Sequence, residues 1–581
     1  MGVPGLFSYL KNKDIFRVAM KRYLNRVDIF CLDLNGIIHQ EAAKVFGYGD
    51  KSKDMSGLFK KIDETYAMSA QDYYTLESLL FKNIILAVLR LSKIVKPQQT
   101  IYVAVDGVAP QAKINQQRGR RYKSSLAKTA TQIFDSTCIT PGTEFMFRLD
   151  AYLNITFNAI INKTIQDPDV IPFIQNIPSI IYSSHMVRGE GEHKIADYIR
   201  NLPQSNKNIV VHGMDADLIM IYMLIMTDHP VGNISLFREN NEDYSIKTII
   251  DLKTLSKALS QLYTQTDNNV AIIREVVFLL YLFGNDFVPR FPELELSHQA
   301  LDALIFGYQK YKQGGGLAII DQIGVISWLG LANFLMFFTE QYANQLLSNW
   351  AFSSVIPQPC GLIQFSSLNG KLDDTKFREL WFDYTLGPKS YDYLVSTPEE
   401  DKQQMCIQYC AALAWVYQYY RKGLSAINVR WFYPYHYTPD LRYLAEFLTG
   451  FYEENLVWED ESINTMGSYP TVLEQLSEVI PPSSTAVLPS FLRPLLTNPE
   501  SPLADMYPTT FLLDGSGKAK PEHEQIALLP IPEPDRVAKV LTGITVPEHY
   551  QDKWKEDKPK VYANYLNPKY DKIIEKRRSS F

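Results

Sequence analysis

Short apolar runs rich in β-branched residues alternate with longer helical stretches through the first half of the chain. Ile29-Phe-Cys-Leu, Thr100-Ile-Tyr-Val-Ala-Val and Ile209-Val-Val each lead into a polar turn, as expected of buried strands that are apolar on both faces. The alternation predicts an α/β fold with a mostly parallel central sheet flanked by helices. Asp33, Asp106 and the pair Asp215/Asp217 fall at or just past the C-terminal ends of these strands. That edge is where open α/β sheets bind ligands.

The pattern changes around the QKYKQGGG stretch at 309–316, and the second half is richer in Tyr, Trp and Pro. It carries a helical, aromatic-heavy stretch at 406–420, the block WFYPYHY at 431–437 and a Pro-punctuated segment from 481 to 535 that reads as extended. Beyond Val546 the chain mixes Lys with Asp and Glu and ends EKRRSSF, which reads as a solvated wrapping arm or partly disordered end. Three units are expected: 1–312, 313–546 and 547–581.

At 581 residues, 46% hydrophobic and 21% charged, the chain is globular and too long for one ordinary core. Its formal net charge of −6 excludes a protein that coats nucleic acid through overall positive charge, so any nucleic-acid site has to be local. Cys31, Cys138, Cys360, Cys406 and Cys410 are scattered and form no C-x-x-C pair, which argues against a disulfide framework or structural zinc and fits a reducing compartment. Lys11, Lys13 and Asp14 interrupt the N-terminal apolar stretch, and no later run approaches about 18 apolar residues. Neither secretion nor a membrane span is expected.

Seven carboxylates sit in short motifs punctuated by Gly or Asn: Asp33 in LDLNG, Asp106 in VDG, Glu190 and Glu192 in RGEGEHK, Asp215 and Asp217 in GMDADL, and Asp286 in FGNDF. Taken singly, each suits a turn or a helix cap. If they converge, they must bind cations, because two like charges about 4 Å apart repel by roughly 4 kcal/mol even at an effective dielectric near 20. An all-oxygen set selects Mg²⁺ or Mn²⁺ over zinc, and two such ions suit phosphodiester hydrolysis. Asp215 and Asp217 share one face if that segment is extended.

The stretch after Asp106 supplies the local positive site. Pro110 is suited to opening a helix, and between Gln111 and Lys128 there are six Lys or Arg and no acid. Lys113, Gln117, Arg120 and Arg121 recur at three- and four-residue spacing and project from one helical face. Such a run is more often a solvated surface than a site. Its place directly after an acidic strand end instead suits holding a terminal phosphate. His185, His212 and His298 read as structural, and Tyr417, Tyr419 and Tyr420 as core.

With these motifs in hand, the chain resembles the Xrn-type 5′-to-3′ exoribonucleases of the flap-endonuclease-like 5′-nuclease superfamily. The resemblance rests on MGVPGLF, DLNGIIH, VDGVAPQAKINQQRGRRYKS, FDSTCITPGTEFM, GEGEHKI, GMDADLIM and LFGNDFVPRFPEL, and in the second half on AWVYQYYRKG, WFYPYHYTPDL, EQLSEVIPPSS and PLADMYP. The second group separates the chain from flap endonucleases. The resemblance implies that 1–312 is the nuclease domain, that 313–546 is a second region completing the pocket, and that the seven carboxylates are metal ligands. It makes Lys113, Gln117, Arg120 and Arg121 a 5′-phosphate pocket and has His39 and Trp431 stack on the 5′ base. The implied activity is Mg²⁺- or Mn²⁺-dependent, processive degradation of 5′-monophosphorylated single-stranded RNA to mononucleotides in mRNA decay. The implied setting is the cytoplasm, with the nucleus open as an alternative, and a functional link to a decapping enzyme.

Departures from the family pattern qualify this reading. The segment between Arg121 and Phe134 is short, so the helical tower after the basic helix is expected to be truncated. Val429 stands where the family usually has a second tryptophan, and Arg188 where it often has proline. The length fits a compact member such as a virus would encode. Two other readings stand beside the leading one: a structure-specific 5′ DNA nuclease, and an inactive RNA-binding scaffold that kept the fold.

Overall fold

The computed structural model describes residues 3 and 5–563, apart from 23, 48–69, 127, 129–132, 204, 230, 240–246, 265–269, 296, 353–361, 363–365, 369–370, 388–396, 454–466, 517–519 and 521–523. Twelve strands occur among the described residues: β1 Met20–Lys21, β2 Ile29–Asp33, β3 Thr100–Ala104, β4 Ser179–Ser183, β5 Ser205–His212, β6 Val231–Glu239, β7 Lys247–Asp251, β8 Ser367–Leu368, β9 Lys371–Leu372, β10 Leu512–Asp514, β11 Ile526–Leu528 and β12 Lys560–Tyr562. Eight of them form one sheet in the order β1-β7-β6-β5-β2-β3-β4-β12. Its centre, from β4 through β3, β2 and β5 to β6, is parallel, with Ile29 opposite Thr100 on one side and Ile209 on the other.

Both faces of this sheet are covered, which is why its strands read as continuous apolar runs. Alternate residues serve different cores. Cys31, Ile209 and Val211 point to a core that includes the helices Asp217–Asp228, Val270–Leu280 and Glu399–Lys422. Phe30, Leu32 and Val210 point to one built with the helices Asn35–Phe46, Ala70–Val95 and Glu144–Ile161. The first core joins the two halves of the chain, because Cys406, Tyr409, Trp415 and Tyr420 pack in it beside Ile219 and Phe278.

Near the expected boundary, helix Ser297–Gln313 ends and Gly314–Gly316 follow. The segment from 481 to 535 is not extended throughout. Pro482 and Pro494 sit in the first turns of the short helical pieces Pro482–Val487 and Arg493–Thr497, where a missing N–H costs nothing, and β10 pairs with β11. In the tail, β12 adds antiparallel to β4 with Val561 opposite Ile181, while residues 564–581 lie outside the described residues. The truncated tower falls largely on 127 and 129–132, also outside them; the basic helix itself ends at Leu126. Among the described residues, no helix is long and apolar enough to cross a membrane.

Candidate active site

The parallel strands deliver their carboxylates to one sheet edge. Asp33 is the last residue of β2, Asp106 lies two residues past β3, and Asp215 and Asp217 follow β5. Asp215 and Asp217 do not share an extended face: Asp217 is the first residue of helix Asp217–Asp228 and is buried, whereas Asp215 sits in the preceding loop and is exposed. The apolar run from Leu218 to Ile225 is buried all round, and it starts the helix directly after Ala216. Glu190 and Glu192 occupy the start of helix Gly191–Arg200 and are buried. Asp286 follows the turn at Tyr281–Phe283 and Gly284, whose φ of 76° lets the chain fold back toward Arg290.

Two residues set the close approach of Asp33 and Asp106. Asn35 donates to Asp106 Oδ2 at 2.7 Å and accepts from the Asp106 N–H at 3.0 Å, locking that carboxylate's plane. The Gly191 N–H donates to Asp106 Oδ1 at 2.6 Å, and a Cβ at Gly191 would stand 2.6 Å from Asp33 Oδ1. Lys194 Nζ donates to the carbonyls of Val105 and Ser184 at 2.7 and 2.8 Å, tying the ends of β3 and β4 to the same helix. Burial pulls its ammonium down to about 7.

The electrostatics are those of crowded acids. Burial, followed by the charges of Asp106 and Asp215, holds Asp33 well above the ordinary carboxylate range. Burial raises Glu192 in the same way, with Glu190, Asp217 and Asp215 adding to it. Burial, Asp286 and Asp215 push Asp217 up to about 7. Lys113 is the local counter-charge, 2.5 Å from Glu190 Oε2 and 2.7 Å from Asp286 Oδ2. Burial raises Asp286, but the Lys113 ammonium, with other nearby positive charge including Arg120, brings the group down to about 2.

The basic helix Gln111–Leu126 divides its polar residues by task. Lys113 is committed to the carboxylates, and Gln117 is buried with its Oε1 facing Gln475 Nε2 at 3.4 Å. Arg121 donates to Thr140 Oγ1 at 2.5 Å and to the Ile139 carbonyl at 3.3 Å; burial and the neighbouring Arg120 lower its pKa to about 9. Arg120 is exposed and lines a cleft of about 800 Å³ with Asp286, Phe287, Tyr435 and His436. His39, in the first helix after Asp33, keeps part of its ring open to solvent, and crowding by the surrounding protein, followed by the charges of Arg120 and Arg121, lowers its pKa to about 3. Trp431 is half-buried, 6.4 Å from Trp415, and two residues earlier the Val429 carbonyl accepts from the Gln111 N–H at 2.8 Å.

Three further residues complete the site. Tyr419 Oη donates to Glu190 Oε1 and Tyr420 Oη to Asp217 Oδ2, both at 3.0 Å, from a helix of the second half. Both phenols are buried, as a core reading requires, yet their hydroxyls serve the acidic cluster. The sequence offers only the adjacency of two tyrosines as a signal for this. His193 stacks on the Tyr419 ring at 3.6 Å, and one of its ring nitrogens lies within 4.8 Å of a carboxylate oxygen from each of Glu190 and Glu192. Its place directly after Glu192 in GEGEHK is the clue available in sequence. His185 and His212 are buried, with burial lowering both pKa values; the side chain of His298 lies outside the described residues.

The arrangement suits hard cations. The ligand-competent groups are overwhelmingly carboxylates, Asp217 Oδ1 is buried with no hydrogen-bond partner, and Gly191 leaves the space between Asp33 and Asp106 open.

Residues 1–240 match the XRN 5'-3' exonuclease N-terminus, and residues 389–575 match the Xrn1 helical domain. The chain is 27% identical to human "5'-3' exoribonuclease 1" over 93% of its own length and 34% of that protein. It is 27% identical to the Drosophila melanogaster "5'-3' exoribonuclease 2 homolog" over 94% of its length and 69% of the relative. With Saccharomyces cerevisiae "5'-3' exoribonuclease 1" it shares 22% identity over 99% of its length and 45% of that chain. The chain therefore spans between about a third and two thirds of these relatives.

Proposed function

Because the chain belongs to the Xrn 5'-3' exonuclease family, we propose that it hydrolyses 5′-monophosphorylated single-stranded RNA processively from the 5′ end, releasing mononucleotides. The observation that carries this reading is the carboxylate cluster at the sheet edge, flanked by an exposed arginine and closed by tyrosines from the second region. Asp33, Asp106, Glu190, Glu192, Asp215, Asp217 and Asp286 would hold two Mg²⁺ or Mn²⁺ ions. Bound there, such ions activate a water and neutralise charge developing on the leaving oxygen.

The chain's own groups do the rest. Tyr420 fixes which Asp217 oxygen faces inward by occupying the other one, and Tyr419 with Lys113 holds the Glu190 carboxylate in place. Arg120 offers the 5′ phosphate a charge-assisted bond, with Lys113, Gln117 and Arg121 framing that pocket. Neutral His39 and Trp431 provide flat faces for the first bases. Stacking of this kind is worth roughly 1 to 3 kcal/mol per base and tolerates any sequence, as a processive enzyme requires. Unchanged product lengths under single-hit conditions in both His39→Ala and Trp431→Ala would remove that role.

A 5′ monophosphate on mRNA has to come from a reaction that removes the cap, so the proposal includes mRNA decay downstream of a decapping enzyme in the cytoplasm. Comparing single-stranded RNA with flap DNA, with Asp217→Ala as a control, tests the reading. RNA degraded from the 5′ end supports it, whereas preferred cleavage at a DNA flap makes the chain a structure-specific DNA nuclease. No turnover of either substrate makes it a binding scaffold.

A further inference from the structure

Arg238 lies near the end of β6, the strand next to β5, and its side chain reaches the loop that carries Asp215. Its Nη2 donates to the carbonyl of Met214. On its other side the guanidinium carbon stands 4.2 Å from the centre of the Phe7 ring, in helix Leu6–Asn12. Nη1 is buried with no hydrogen-bond partner. Burial lowers the pKa of the group and the nearby Asp215 carboxylate opposes that change, so the residue stays cationic.

This placement is costly unless it does something. A guanidinium with a buried, unbonded nitrogen forfeits hydration that a surface arginine keeps. What it gains is a fixed position between an aromatic face and one loop carbonyl. That carbonyl belongs to the residue before Asp215, in the segment between the end of β5 and the helix that begins at Asp217. The same N-terminal helix also shares an apolar cavity of about 40 Å³ with that helix, lined by Leu6, Tyr9 and Leu10 together with Ile219, Met220 and Met223.

We propose that Arg238 is a positioning residue for the Asp215 loop, and that Phe7, stacked on its guanidinium, makes the N-terminal helix part of that support. The Phe7 ring confines the guanidinium, the guanidinium fixes the Met214 carbonyl, and the carbonyl fixes the backbone from which Asp215 projects. In this arrangement Arg238 acts through the loop, by way of the Met214 carbonyl. A lysine cannot replace it, because an ammonium neither stacks flat on Phe7 nor presents a planar donor to Met214.

This inference rests on the proposed cation-dependent nuclease reading, and the test separates the two. Arg238→Lys, Arg238→Met, Phe7→Leu and the double variant Phe7→Leu/Arg238→Met would be compared with the unaltered full chain. Two readouts are taken: the Mn²⁺ concentration giving half of the maximal Tm shift in chelator-treated protein, and kcat and KM on 5′-monophosphorylated RNA. The expected result is a three- to tenfold rise in the Mn²⁺ midpoint for both Arg238 variants, a roughly tenfold fall in kcat and an unchanged KM. Phe7→Leu is expected to shift the Mn²⁺ midpoint in the same direction by less, and the double variant to be no worse than Arg238→Met. A purely structural role would lower the metal-free Tm and leave the Mn²⁺ midpoint in place, which would overturn the proposal. Full rescue by lysine, or additive effects of the two substitutions, would also overturn it. If the unaltered protein degrades no RNA, the nuclease reading fails on its own, while the Mn²⁺ titration still decides the role of Arg238.

Discussion

Tyr420 and Asp217 are joined by a hydrogen bond of 3.0 Å across 203 residues of sequence, and the other oxygen of that carboxylate is buried without a partner. The contact makes the second half of the chain part of the acidic site, because the hydroxyl holds one Asp217 oxygen and leaves the other directed to the cluster. Tyr419 holds Glu190 Oε1 in the same way, while Lys113 takes up Glu190 Oε2. Tyr420→Phe keeps the ring in its packing and removes only the donor. A bond to a charged group is worth about 1.5 to 3 kcal/mol, and about 1.4 kcal/mol is tenfold in rate. A tenfold or greater fall in kcat with little change in Tm is expected, measured by steady-state turnover and thermal melting. Unaltered turnover would show that the contact is only packing.

Gly191→Ala tests the crowding of Asp33 and Asp106. The added Cβ would meet Asp33 Oδ1 at 2.6 Å and Asp106 Oδ1 at 3.3 Å, so those carboxylates have to separate. At least a hundredfold loss of single-turnover rate is expected, with the far-UV circular dichroism spectrum unchanged. Near-normal rates would mean that the two acids do not act at close range.

Asp217 gives the pH dependence of the chelator-treated protein. Its pKa is about 7 when folded, against about 3.9 for an unfolded aspartate. The folded state therefore holds the proton more tightly. That contribution to stability is complete below about pH 4 and is lost as the pH rises through about 7. Tm is expected to fall by several degrees between about pH 5 and pH 7.5, added Mn²⁺ to restore it most at the upper end, and Asp217→Asn to flatten the slope. An identical slope in Asp217→Asn would refute the assignment.

Much of the site was legible in the sequence for a simple reason. β-Branched runs such as Ile29–Leu32 and Thr100–Val105 announce buried parallel strands, and the acids that end them must meet at one sheet edge. The contacts of Tyr419 and Tyr420 were not legible, because their partners lie 229 and 203 residues away and an aromatic helix reads simply as core. The same limit applies to Lys113. Its spacing from Arg120 and Arg121 marks a shared helical face, but nothing in the spacing says that Glu190 and Asp286 take up its charge. Local pattern also misjudged Asp215 and Asp217, because the apolar run that follows them starts a helix at Asp217.

Discrimination at the 5′ end tests the basic helix. Arg120 is exposed at the cleft, so it is the side chain most able to meet a 5′ phosphate. Arg120→Ala is expected to lower kcat/KM on 5′-monophosphorylated RNA by about ten- to a hundredfold, equivalent to roughly 1.4 to 2.8 kcal/mol, and to leave the slow turnover of 5′-hydroxyl RNA unchanged. Equal rates of the unaltered protein on the two ends, or retained discrimination in the variant, would count against a phosphate pocket.

Stepwise removal of nucleotides from a 5′ end is the activity proposed for this cluster. RNA with a 5′ monophosphate, labelled at either end and incubated with the protein and Mg²⁺, addresses it most directly. The account predicts that 5′ label appears only as mononucleotide, while 3′-labelled RNA disappears without intermediates of internal length. Internal fragments from the outset, or no dependence on Mg²⁺, would contradict it.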